Sequence, residues 1–177
     1  MDDARAREVL TRMWVDQHEA VTRFVARRVE AGLVDDVVSE TFLVAWRRLA
    51  DVPEDPKPWL LGVARNVLAT HVRTHGRWRA LGVRLEREPE TGTEGTDDLA
   101  ADRTDLRRAW SMLSDADREV IALVAWDGLT AVEGAKVLGI RPSTFSVRLT
   151  RARKRLLAYS GLPSDTAAVL RNLQETR

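Results

Sequence analysis

The sequence predicts an all-α protein built from two small helical domains that a flexible acidic linker joins. Apolar residues recur every three to four positions along most of the chain, which is the spacing of one helix face. No run of alternating apolar and polar residues is long enough to predict a strand. Residues 86–98 are instead rich in glycine, threonine, proline and acidic residues, a composition typical of a linker. The domains are therefore predicted over 5–80 and 102–160, with the linker over 81–101.

The first domain is predicted to contain three helices. Apolar residues at helical spacing define the first helix over 5–31 and the second over 35–50. Three prolines within 51–58 end the second helix, because proline lacks the amide hydrogen that a helix interior needs. The last of these prolines suits the first turn of a third helix, which is predicted over 58–75.

The second domain is predicted to contain four short helices. The first covers about 102–113, and the second follows Ser114, whose hydroxyl can accept a hydrogen bond from a free amide at the helix start. The third helix begins after Thr130. Because Glu133 follows three residues later, these two side chains are predicted to form a capping box.

The last two helices have the pattern of a helix-turn-helix. Gly139 ends the third helix, since glycine adopts a positive φ without strain, and the fourth helix runs from near Pro142 to about 158. A small residue, Ala135, allows the two helices to cross closely. One face of the fourth helix is apolar and is predicted to pack inward, comprising Phe145, Leu149, Ala152 and Leu156.

Positive charge is concentrated in two segments of a nearly neutral chain. The sequence contains 28 basic and 27 acidic residues, yet no acidic residue occurs over 56–85 or over 140–164. The predicted linker between them is strongly acidic. Focused positive charge indicates binding to phosphate backbones. The alternative interpretation is two solvated basic helix faces.

The outward face of the last helix is the predicted site for duplex DNA. The second helix of a helix-turn-helix fits the major groove, where hydroxyl and guanidinium groups hydrogen-bond to base edges and other cations neutralise phosphates. A structural helical hairpin with a basic face is the alternative. The predicted contact residues are Ser143, Thr144, Ser146, Val147, Arg148, Thr150, Arg151, Arg153 and Lys154.

The third helix of the first domain is the predicted site for unpaired bases. It combines an aromatic residue, an amide and cations, which supply stacking, edge hydrogen bonds and backbone charge. The predicted contact residues are Trp59, Arg65, Asn66 and Arg73. For Trp59 alone, packing in the core is the favoured interpretation, and for Asn66 a surface polar role is equally compatible with the sequence.

Three blocks of sequence, at 35–46, 58–73 and 113–156, resemble conserved regions two and four of bacterial sigma factors. The resemblance extends over about 30–160, and the match is best to the compact extracytoplasmic-function group, which keeps only these two domains. It implies a protein that binds core RNA polymerase and promoter DNA, directs promoter melting and transcription initiation, and is controlled by an anti-sigma factor.

The resemblance also implies a role for individual residues. Asp36 and Glu40 would contact the polymerase, with Phe42 and Trp46 bracing the same helix from its buried side. Asn66 would line a pocket for a flipped base of the melted promoter strand. On the last helix, the residues implied to face bases are Ser146, Val147, Thr150 and Arg151.

The chain departs from the usual sigma pattern at several positions. Ser39 and Thr70 replace a usual Gln and Asp, and Arg141 replaces a usual capping Ser. Gly134 replaces an aliphatic residue, which is expected to weaken its helix by about 1 kcal/mol. The pair Ser146-Val147 replaces a common basic-Ser pair, so a different base preference in the upstream element is predicted.

Other classes of protein fit the sequence less well. The chain has no cysteine and no Ser/His/Asp set, paired catalytic acids or cofactor loop, so we predict neither an enzyme nor a cofactor. His71 and His75 have the spacing of a metal pair but lack a third ligand, so no metal is predicted. Without an apolar signal core or spanning segment, we expect a cytoplasmic protein with no membrane insertion.

Two alternative functions remain at this stage. A helix-turn-helix regulator that binds duplex DNA without recruiting polymerase would explain the second domain but neither of the blocks at 35–46 and 58–73. A partner-binding helical protein is supported only by the acidic linker and by the tail over 161–177, whose role the sequence does not define.

Overall fold

The computed structural model describes the backbone of residues 3–75 and 97–161 and the side chains of residues 4–71 and 105–161. Within these ranges the chain forms helices and turns without a strand, so the predicted all-α fold is confirmed. None of these helices is both long and apolar enough to span a membrane. The helices are α1 (Asp3–Ala26), α2 (Val34–Arg47), α3 (Pro56–His75), α4 (Asp97–Met112), α5 (Asp115–Ala125), α6 (Ala131–Leu138) and α7 (Pro142–Ser160).

The first unit consists of α1, α2 and α3 around an apolar core. Helix α1 ends at Ala26 rather than at 31, because the amide of Arg28 donates to the carbonyl of Val25 at 2.8 Å and tightens the last turn. Helix α2 ends at Arg47 rather than at 50, and a single 3-10 turn, Leu49–Asp51, follows it. The core includes the buried side chains of Phe24, Val37, Phe42, Leu60 and Ala64.

Helices α3 and α4 begin earlier than the sequence predicts. Helix α3 begins at Pro56, so two of the three prolines lie in its first turn. Helix α4 begins at Asp97, inside the predicted linker, because two aspartates favour a helix N-terminus and the alanines that follow are strong helix formers. The rest of the predicted linker, over 81–96, lies outside the described residues, as does the predicted tail after Gly161.

Local signals in the second unit, α4 to α7, form the predicted caps. The Ser114 hydroxyl accepts a hydrogen bond from the amide of Asp117 at 3.2 Å. The Thr130 amide donates to Glu133 Oε2 at 2.6 Å, and the Glu133 amide donates back to Thr130 Oγ1 at 3.3 Å, so the capping box is confirmed. Hydrogen bonding from Thr130 lowers the pKa of Glu133 below its ordinary value. Gly139 ends α6 at a φ of 64°.

The crossing of α6 and α7 depends on Gly134. The predicted inward face of α7 is confirmed, and Phe145 at its centre is fully buried. A Cβ atom at Gly134 would lie only 2.5 Å from Cζ of Phe145. Gly134, which the sequence predicts only to weaken α6, is therefore the residue whose missing side chain leaves room for the ring of Phe145. Ala135 beside it is buried.

The two units pack against each other through α3 and α6. Their buried apolar side chains form one continuous cluster, which includes Leu61 of α3 and Val137 of α6. A Cβ atom at Gly62 would lie 3.8 Å from Cα of Val137, so the helices approach closely there. Lys57 Nζ also donates to the backbone carbonyl of Asp127 at 2.7 Å.

A buried cluster of charges lies at the same boundary. Arg27 Nη1 is 2.7 Å from Asp127 Oδ1, and Arg28 Nη2 is 3.2 Å from Glu119 Oε1 and 3.4 Å from Asp127 Oδ2. Burial raises the pKa of Asp127 above its ordinary value, although the guanidinium groups of Arg28 and Arg27 oppose this effect. All four side chains are nearly inaccessible to solvent, so separating the units would leave charges of both signs unpaired.

Candidate nucleic-acid and polymerase interfaces

The outward face of α7 is a ridge of polar side chains above a buried apolar face. Most of the predicted contact residues are exposed, namely Ser143, Ser146, Val147, Arg148, Thr150, Arg151 and Lys154. Thr144 and Arg153 are half-buried, and burial lowers the pKa of Arg153. The helical period explains the division, since the inward residues recur every three or four positions and leave the opposite side to solvent.

Positive charge on α7 is only partly neutralised by the protein itself. Arg155 at the far end pairs with Asp117 through two contacts of 2.7 and 2.9 Å. In the described part of the chain, no carboxylate forms an ion pair with Arg148, Arg151 or Lys154. These three cations are therefore free to bind external phosphates or the acceptor atoms of guanine.

The hydroxyl of Thr150 already has one partner. Its Oγ1 donates to the backbone carbonyl of Ser146 at 2.9 Å, one helical turn earlier. A hydroxyl has a single hydrogen, so Thr150 faces any ligand with the two lone pairs of its oxygen and with its methyl group. Its role toward a base edge is therefore that of an acceptor.

Helix α3 aligns three of the four residues predicted to contact a melted strand. Trp59, Asn66 and Arg73 are seven residues apart, which is close to two helical turns, so they lie along one side of the helix. Asn66 is exposed, and Trp59 is half-buried against the core, with the Arg48 guanidinium 5.8 Å from its ring centroid. Arg65 is half-buried on a different side of the helix.

The side chain of Arg73 lies outside the described residues, so only its position on the helix backbone is defined. Trp59 and Asn66 therefore lie on one side of α3, two helical turns apart. Trp59 combines both interpretations made from the sequence, since part of its indole packs on the core and part remains accessible.

Helix α2 presents a mixed acidic and apolar face to solvent. Asp36 is exposed and Glu40 half-exposed, while Phe42 is buried and Trp46 half-buried. Leu43, with 46% of its surface exposed, continues the outer face at the next turn. Leu43 is not among the residues predicted from the sequence, although its spacing from Asp36 and Glu40 places it on the same side of the helix.

Glu40 also has a partner within the protein. His71 Nε2 lies 2.7 Å from Glu40 Oε2, a contact that joins α3 to α2. The histidine that the sequence analysis weighed as a metal ligand thus contacts a carboxylate. Among the described residues, no group of three histidine, aspartate or glutamate side chains is arranged to bind a metal ion.

A helix-turn-helix with a cationic outer face is typical of a DNA-binding transcription factor. Here it is joined to a second helical unit, which carries polar and aromatic residues on α3. The Sigma-70 region 2 family matches residues 14–78, and the family Sigma-70, region 4 matches residues 103–156. The two matches lie in the order that the sequence analysis proposed.

Individual relatives give the same result. The chain is 36% identical over 146 residues to the ECF RNA polymerase sigma factor SigC of Mycobacterium tuberculosis, covering 78% of this chain and 76% of SigC. It is 32% identical over 160 residues to SigL of the same organism, covering 86% and 90% of the two chains. The chain belongs to the ECF RNA polymerase sigma factors, which are transcription initiation factors.

Solved structures show the same architecture. The sigma factor RpoE from Bartonella quintana, in complex with the anti-sigma factor NepR, is 25% identical with a TM-score of 0.59, covering 86% of this chain and 96% of RpoE. CnrH, in complex with the cytosolic domain of CnrY, is 28% identical with a TM-score of 0.51, covering 89% and 88%. The match to region 2 decides against a helix-turn-helix regulator that lacks a polymerase-binding unit.

Proposed function

We propose that this sigma factor binds core RNA polymerase through α2 and contacts promoter DNA through α3 and α7. Asp36, Glu40 and the exposed Leu43 form the polymerase-binding face, because they lie at consecutive turns on the outer side of α2. Phe42 and Trp46 position this face from beneath. In this proposal the first domain, 5–80, combines polymerase binding with recognition of the melted strand, and the second, 102–160, recognises duplex DNA.

The α7 face reads the upstream duplex element. Arg151 lies among the residues of this face and has no carboxylate partner in the described part of the chain, so its guanidinium is available for a bidentate contact with guanine. Arg148 and Lys154 supply phosphate contacts, which fix the register but add no sequence preference. The exposed face of α7, with its uncompensated cations, is the observation that carries this part of the proposal.

The outer side of α3 receives a base of the melted strand. Asn66 offers both a donor and an acceptor to a base edge, and the accessible part of the Trp59 indole offers a stacking surface. Removing a base from the stack costs a few kcal/mol, which such contacts offset. Arg65 and Arg73 add positive charge for the backbone of the strand.

The proposed roles of α2, α3 and α7 define the partners of the chain. Core RNA polymerase and promoter DNA are the functional partners, and an anti-sigma factor is the regulatory one, since RpoE is in complex with an anti-sigma factor. The chain acts in the cytoplasm, where bacterial polymerase transcribes, and contributes binding surfaces rather than a catalytic group or cofactor.

The duplex-reading role is tested with Arg151→Ala in the reconstituted holoenzyme. We expect promoter affinity to fall by about 5- to 150-fold, the equivalent of ~1–3 kcal/mol, and discrimination to relax at one base pair. Arg5→Ala, an exposed change on α1, is the matched control and leaves affinity unchanged. Equal affinity of the Arg151 variant and the unmodified chain in a gel shift at fixed salt would refute the assignment.

A further inference from the structure

Val147 is an apolar side chain at the centre of the polar face of α7. It is 49% exposed, and both shallow concavities on this face, of about 340 and 310 Å³, are lined in part by it. The first concavity is completed by Ser146, Thr150, Arg151 and Lys154. A single exposed valine is ordinary on a protein surface. Val147 is unusual because it lies between Arg148 and Arg151, two cations of the proposed DNA-binding face.

The neighbours of Val147 limit what this part of the face can recognise. Thr150, one turn further along, has committed its hydroxyl hydrogen to the carbonyl of Ser146 at 2.9 Å. Neither Val147 nor Thr150 therefore donates a hydrogen bond outward. Val147 and Thr150 together form an apolar and accepting part of the face, while the hydroxyls of Ser143 and Ser146 and the guanidinium groups of Arg148 and Arg151 around it supply donors.

The major groove offers one apolar group that matches such a surface. Among the four bases, only thymine carries a methyl group at the groove edge, and apolar side chains recognise it by direct contact. A valine between two arginines is held at the depth of the base edges when those arginines contact bases and phosphates. Cytosine at the same place would present a bare ring carbon and leave the valine without this contact.

We propose that Val147 packs against the C5-methyl group of one thymine in the upstream duplex element and makes that thymine a determinant of promoter choice. This inference rests on the proposed duplex-reading role of α7. It identifies a specific base, whereas the family relationship defines only the helix that reads.

The test uses holoenzyme and a duplex selected by that holoenzyme from a random library. Each thymine of the upstream element is replaced in turn by deoxyuridine, which removes only the methyl group. At one position we expect affinity to fall about fourfold, the equivalent of the ~0.8 kcal/mol that one buried methyl contributes. Val147→Ala lowers affinity for the thymine duplex by a similar factor and no longer distinguishes the two duplexes at that position.

Val132→Ala is the matched control, since Val132 is a valine of similar exposure, 51%, on α6. The Val132→Ala holoenzyme is expected to keep the full difference in affinity between the thymine duplex and the deoxyuridine duplex. The assignment is overturned if no thymine of the selected element responds to loss of its methyl group, or if Val147→Ala retains the response. A holoenzyme that does not prefer the selected duplex over a scrambled one would instead contradict the proposed function itself.

Discussion

Gly134 shows how a single residue determines the geometry of the DNA-binding motif. Helix propensity alone favours alanine at this position by about 1 kcal/mol. The fold reverses that preference, because a Cβ atom would lie 2.5 Å from the ring of Phe145, which fills the centre of the α6–α7 contact.

We therefore expect Gly134→Ala to lower the free energy of unfolding by about 1–3 kcal/mol, the usual cost of overpacking a core. Chemical denaturation measures this change in the free energy of unfolding. Gly32→Ala is the control, since a Cβ at Gly32 meets no atom within 4 Å and this glycine has no positive φ. If Gly134→Ala instead raised the free energy of unfolding as much as Gly32→Ala does, the ring of Phe145 would be free to move away from the added methyl group.

The exposed amide of Asn66 is expected to act in promoter melting. Asn66→Ala removes an exposed amide from the outer side of α3 and leaves the buried side of the helix intact. Promoter melting should weaken, as measured by permanganate reactivity of unpaired thymines in the open complex, while binding to core polymerase stays the same. Unchanged permanganate reactivity would show that the amide has no role in capturing the melted strand.

The residues that could be predicted from the sequence are those whose position depends only on helical periodicity. The exposed face of α7 and its inward set follow from a repeat of 3.6 residues, and they lie where the sequence placed them. Arg28 and Glu119 could not be predicted as partners, because they are 91 residues apart in the chain and nothing local marks them as buried.

At the scale of whole elements, turn chemistry was the most informative sequence signal. Ser114, the capping box at Thr130 and the glycine at 139 each end or begin a helix where predicted. The end of α1 was predicted too late, because the apolar pattern continues through Val29 while the backbone tightens at Arg28. The start of α4 was predicted too late because its acidic first turn resembles the linker before it.

The capping box should contribute measurably to the second unit. Thr130→Ala removes the acceptor for the Glu133 amide, and we expect the free energy of unfolding to fall by about 1 kcal/mol. Thr11→Ala is the matched control, since Thr11 is an exposed threonine within α1 that only donates to its own helix, and its effect should stay within about 0.5 kcal/mol. Equal effects of the two changes in urea denaturation would indicate that the cap is not formed in solution.

At the scale of the molecule, the sequence predicts the two units and their order but not how they meet. Each unit is defined by local periodicity and turn signals, whereas the α3–α6 contact joins surfaces distant in the chain. The charged part of the boundary between the units joins the end of α1 to α5 and the turn after it, and it is formed by Arg27, Arg28, Glu119 and Asp127, all nearly buried. Such residues are usually exposed, so a sequence pattern alone assigns them to the surface.

This charge cluster gives the prediction for the whole molecule. Arg28→Ala leaves Glu119 and Asp127 buried with fewer partners, and we expect a loss of about 3–5 kcal/mol in stability. Arg23→Ala, in the last turn of α1, breaks an exposed pair with Glu19 and should cost at most about 1 kcal/mol. If thermal denaturation shows equal losses for both variants, the two units do not pack in solution as described.

Both units are proposed to serve one activity, the direction of core RNA polymerase to promoters. Its most direct test is run-off transcription with purified core polymerase and a template carrying a promoter selected by the holoenzyme. We expect transcripts of defined length only when the chain is present, and fewer of them when Asn66→Ala is combined with Trp59→Ala or when Arg151→Ala is introduced. Transcripts that are the same with and without the chain, although it binds the promoter duplex, would contradict the account.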